Sequence, residues 1–223
     1  MPIDNVQFPW TTGIYARRKH LSLEARTLED ILWDQLPLHN QFITDRIKSL
    51  CLDAYSENQQ LTGYSGIPNW SQQEWNDRCG TNLASNFIIT HHNFHNKPHI
   101  NKKDTNTFTY GLFWYINAAT GEPLSPPSGI ENHGLKFLDY NALINFTLCN
   151  GILEMLWRKK DLTHQTILPS TSSVLPPSFS QSITHFGCSF QINQDLFNQE
   201  LTLNNTPIHQ LKSCIIGKKT ICY

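Results

Sequence analysis

The sequence is poor in charge. Only 16% of its 223 residues are Asp, Glu, Lys or Arg, and Asn, Gln, Ser and Thr supply much of its polarity. Its formal net charge of -1 gives no global basic field of the kind that drives non-specific nucleic-acid binding, so a nucleic-acid partner needs a local basic patch. Six cysteines occur, at 51, 79, 149, 188, 214 and 222, without a CxxC pair. Cys149 and Cys188 sit in apolar runs that read as core strands, so reduced, buried thiols are expected rather than a disulfide framework. No run approaches about 18 consecutive apolar residues, which excludes a membrane-spanning helix. The first twenty residues lack a basic start followed by an apolar stretch, so a soluble intracellular protein, nuclear or cytoplasmic, is expected.

What is present is a globular pattern that changes character along the chain. Leu28, Ile31, Leu32 and Leu36, then Ile43, Ile47, Leu50 and Ala54, recur at helical steps, with Ser22 and Thr27 as N-cap candidates. A Gly/Pro-marked connection follows, with a short helix over 71–78. After residue 83 the segments "LASNFIITHHNF", "TFTYGLFWYI", "LKFLDYNALINFTL", "GILEMLWRK" and "HFGCSFQIN" are short, β-branched or aromatic runs broken by Gly, Asn, Asp and Pro. "QDLFNQEL" reads as a helix and "SCIIGKKTICY" as a late strand. The pattern predicts an α+β chain in which residues 1–82 form a helical support, 83–198 a β core and 199–223 a tail.

Four of the ten histidines fall between 91 and 99, in "HHNFHNKPH". An i, i+4 zinc pair on a helix fails on context, because "FIIT" is strand-like, Pro98 would sit inside the helix and no Glu follows the first histidine. His91, His92 and His95 read as polar loop groups. A different arrangement uses His99, a carboxylate one strand-step later and a distant histidine, His164, from a facing strand. Two histidines and one carboxylate on one face of Fe(II) leave positions open for a cosubstrate and oxygen.

The stretches "NFHNKPHINKKDTNTFTYGLF", "LEMLWRKKDLTHQT" and "ITHFGCSFQI" together resemble the fungal TET-like domain of the 2-oxoglutarate and Fe(II)-dependent oxygenases, from about residue 85 to 198. The resemblance implies a double-stranded β-helix (jelly-roll) core with the N-terminal helices packed on its sheet, Fe(II) and 2-oxoglutarate as cofactors, and oxidation of a methyl group, with a nucleobase as candidate substrate. It makes His99 and His164 the metal-binding histidines, within reach of one ion. Asn101 falls where the family has its carboxylate, with Asp104 as an alternative ligand that strand alternation would aim at the other face. The family's cosubstrate arginine falls at His185, which would hold 2-oxoglutarate better as the pH drops toward 6 and the imidazole charges. Arg158, Lys159 and Lys160 are alternative anchors, and Lys97, Lys102 and Lys103 form a basic rim for a phosphate backbone. Two functions follow: a TET-like dioxygenase, or a degenerate member kept as a binding domain. The changes at 101 and 185 favour the second.

Overall fold

The computed structural model describes residues 10–12, 22–72, 81–91, 94–168, 170–171 and 182–207. Of the expected helix at 71–78 only Ser71 and Gln72 are described, and neither is helical; the late strand in "SCIIGKKTICY" lies outside the described residues. Two compact units emerge. Of the described residues, one carries those within Phe87–Lys102 and Thr107–Phe190; the other gathers the helices, Lys103–Asn106 and residues 191–207.

In the helical unit, α1 (Leu23–Leu50) buries Trp33, Leu36, Asn40, Ile43, Thr44 and Ile47 along one face. It runs through Pro37, where a break between two helices would be the simpler reading. Thr27, an N-cap candidate, lies inside the helix and its hydroxyl donates to the Leu23 carbonyl one turn back. Cys51, in extended conformation, separates α1 from α2 (Leu52–Ser65), and α2 ends at Gly66, whose φ of 77° is the left-handed cap that glycine adopts readily. α3 (Gln194–Asn205) starts at Asn193, whose side chain accepts from the Leu196 N–H at 3.0 Å. Ile67, Ile192 and Leu196 close a small core with Leu61 and Phe197.

Among the described residues the strands form a six-stranded sheet, a three-stranded sheet and a two-stranded pair. The strands are β1 (Trp10–Thr12), β2 (Asn86–Thr90), β3 (Phe108–Asn117), β4 (Pro123–Leu124), β5 (Ile130–Glu131), β6 (Gly134–Phe137), β7 (Ala142–Asn145), β8 (Leu153–Arg158), β9 (His164–Ile167), β10 (Ser170–Thr171) and β11 (Ile183–Gln191). The larger sheet has the order β1-β2-β11-β3-β4, with β8 also paired to β3. The smaller has the order β7-β6-β9 and is extended by a bridge between His99 and His164, while β5 and β10 pair separately. Chain order makes this a nested pattern. β2 neighbours β11, the His99 segment pairs with β9, β3 pairs with β8 and β6 pairs with β7.

Alternation along the strands decides what faces inward. Phe113, Tyr115, Leu135, Phe137, Phe146 and Trp157 form one buried cluster from both sheets. Gly111 makes room for it, since a Cβ there would come within 2.9 Å of the Trp157 ring. Cys188 is buried on β11 as expected, and burial raises its thiol pKa to about 12. Cys149 departs from expectation. It is half-buried and follows a 3₁₀ turn at Phe146–Leu148, because the apolar run "LINFTLC" leaves the strand at Asn145.

Candidate functional site

His99 and His164 are set opposite each other by a backbone bridge. Each donates its N–H to the other's carbonyl at 3.0 Å, and the rings sit 4.5 Å apart between centroids. The Nδ1 of His99 lies 2.9 Å from the Lys97 carbonyl and the Nδ1 of His164 lies 2.9 Å from the Leu162 carbonyl. A carbonyl only accepts, so each Nδ1 carries the proton and each Nε2 keeps its lone pair for a metal or a donor. Phe137 and Trp157 pack against His164. Burial, chiefly, holds the His164 imidazole below its usual pKa, and the neighbouring His99 and Lys159 push the same way against the Leu162 carbonyl. His164 is therefore a neutral ligand at neutral pH.

The backbone differs at Asn101, where the resemblance would put a third ligand. The Asn101 N–H reaches the Lys159 carbonyl at 3.2 Å, and the Lys102 N–H turns back to the Ile100 carbonyl at 2.9 Å. That bond centres a three-residue turn on Asn101, so the rule that residues two apart on an extended strand share a face stops at Ile100. Asp104 is buried in the helical unit, where its backbone bridges to Asn193. Among the described residues no three His, Cys, Asp or Glu side chains gather as a metal-holding group. Lys159 is fully buried, with its charge felt at His164. Two imidazoles, a neutral amide where the resemblance would put the acid, and an ammonium within electrostatic range do not fit a three-ligand site for a hard dication, which draws its affinity from anionic oxygen.

His185 lies on β11 opposite Tyr115 of β3. Its ring stacks on Phe146 at 4.4 Å with an interplanar angle of 9°, and meets His133 edge-on at 4.4 Å. Burial, with His133 beside it, holds its pKa well below the usual range, so the expected charging near pH 6 is lost. A neutral, stacked imidazole does not fit the role of a bidentate clamp for a carboxylate. Arg158 is exposed and pairs with Asp161. Lys97, Lys102 and Lys103 are exposed.

His133 and Tyr115 gave no functional signal in the sequence. The Tyr115 hydroxyl lies 2.6 Å from the His133 Nδ1. Burial raises the phenol's pKa and lowers that of His133 to about 4. The protonated phenol donates to Nδ1, which places the imidazole hydrogen on Nε2. The Nε2 atoms of both His133 and His185 are buried with no hydrogen-bond partner among the described residues. His133 stood in the turn-like "ENHGL", where nothing marks a lone histidine as interior. Tyr115 was legible as a strand residue only.

No curated protein matches the chain. The sequence does match the model of one family over residues 11–169, a span that includes both paired histidines and the strands that carry them, and the chain therefore belongs to the Tet-like 2OG-Fe(II) oxygenase superfamily.

Proposed function

We propose that this chain is a degenerate Tet-like oxygenase domain: a double-stranded β-helix that keeps the paired histidines and has lost the charges that a catalytic member needs. The nested pairing of eight segments, first with last through fourth with fifth, supports the jelly-roll reading. The family name implies Fe(II) and 2-oxoglutarate. One observation carries the proposal. The His99 and His164 rings lie 4.5 Å apart with each Nδ1 bonded to a carbonyl, while among the described residues no acidic side chain completes a metal-holding group with them, and the residue at the arginine position is a buried histidine held well below its usual pKa. Divalent metal then binds weakly, through two neutral donors, and the distal carboxylate of 2-oxoglutarate finds no cationic fork.

The consequence is a binding domain rather than a catalyst of methyl oxidation. A nucleic-acid ligand would meet the exposed Lys97 and Lys102 on the loops flanking His99. The test is substrate-independent: incubate the full chain with Fe(II), ascorbate and 2-oxoglutarate and measure succinate. No succinate above the protein-free control is expected. Succinate that disappears in His99→Ala would overturn the proposal and make the chain a working oxygenase.

A further inference from the structure

We infer that the outer face of α1 is a self-association surface, on which a second copy of this chain packs its own α1 antiparallel about Gln35. Leu28, Ile31, Leu32, Leu38 and Phe42 are 46 to 74% exposed, although all are large and apolar. At 100° per residue they share one arc of about 120° with Gln35, beside the arc that buries Trp33, Leu36, Ile43 and Ile47. Scattered exposed leucines are ordinary on a monomer. A stripe running about 20 Å along one helix is not.

The order of the stripe identifies its occupant. Two copies related by a two-fold axis must present the same patch to each other, so residue i meets residue j and j meets i. An axis at Gln35 sets Leu28 opposite Phe42, and Leu32 opposite Leu38, in both directions at once, with Ile31 opposite the exposed His39. The same axis sets the exposed Glu24 opposite the exposed Arg46 at both ends. A parallel pairing would bring Glu24 to Glu24 and Arg46 to Arg46, which like-charge repulsion disfavours. The five side chains expose roughly 600 Å² per copy, so two copies would cover about 1,200 Å², the lower end of specific interfaces.

Sedimentation velocity of the full chain tests this. A monomer–dimer equilibrium in the micromolar range is expected, and Leu38→Glu with Phe42→Glu should leave only monomer with unchanged circular dichroism, since both side chains are exposed. Glu24→Arg alone and Arg46→Glu alone should each weaken dimerisation about tenfold. Mixing the two single variants should restore it, because each mixed antiparallel pair then has opposite charges at both ends. Monomer at all concentrations would overturn the inference, as would a dimer indifferent to Leu38→Glu with Phe42→Glu. Failure of the mixture to restore association would overturn the antiparallel register. Introduced cysteines give a second readout: Gln35→Cys should cross-link across the axis and Leu28→Cys should not, whereas cross-linking by both would indicate a parallel pair and refute the arrangement.

Discussion

Two histidine pairs occupy the β unit, with ring centroids 4.5 Å apart in His99–His164 and 4.4 Å apart in His133–His185. Ring spacing therefore does not distinguish a site from a core; hydrogen bonding and burial do. In the first pair both Nδ1 atoms donate to backbone carbonyls, which leaves two acceptor nitrogens, and His99 is half-buried. In the second, His133 accepts from a phenol and both rings are buried among aromatics, so the pair is held neutral. One pair is arranged to receive something. The other is arranged to stay uncharged within packed rings.

The largest effects should come from the inner pair. His185→Ala removes a buried ring stacked on Phe146 and should cost on the order of 3 kcal/mol in urea unfolding, while His99→Ala, at a half-buried edge, should cost less than about 1 kcal/mol. Equal losses would erase the distinction. Acid should act on the same pair. His133 titrates at about 4 when folded and at about 6.5 when unfolded, so the unfolded chain takes up the proton first. The stability is fully present above about pH 6.5 and is lost as the pH falls toward 4, by on the order of 3 kcal/mol from this residue. Replacing the bonded partners together, His133→Phe with Tyr115→Phe, should flatten that slope; an unchanged slope would place the acid sensitivity elsewhere. A smaller effect belongs to the loop lysines: Lys97→Ala with Lys102→Ala should weaken any single-stranded nucleic-acid binding and reduce its salt dependence, and binding unaltered in affinity and salt slope would remove that loop from the interface.

Legibility in the sequence followed the same divide. Strands β2, β3, β8 and β11 were readable because β-branched and aromatic runs end at Gly and Asn, and His99 with His164 was readable because the family segments carry both. Asn101 stands in a turn, where the Lys102 N–H reaches back to Ile100, so its direction does not follow from the spacing of an extended strand. His185 was read as a chargeable anchor, and only the packing of Phe146 and His133 around it shows that it stays neutral. His133 was invisible because its burial depends on pairings distant in sequence, as Gly134 next to it pairs with both Asn145 and Ile167. α1 crossed Pro37 because the apolar steps on either side bury a continuous face, which outweighs one missing hydrogen bond.

The central claim is that the outer pair lacks a negatively charged ligand. Titration of Mn(II) into the unaltered chain and into Asn101→Asp, followed by calorimetry, tests it most directly. The added carboxylate should tighten metal binding by tenfold or more, because opposite charges a few ångströms apart gain several kcal/mol at an intermediate effective dielectric before desolvation is subtracted. His99→Ala should abolish that gain. Tight Mn(II) binding by the unaltered chain, or no change on Asn101→Asp, would contradict the account.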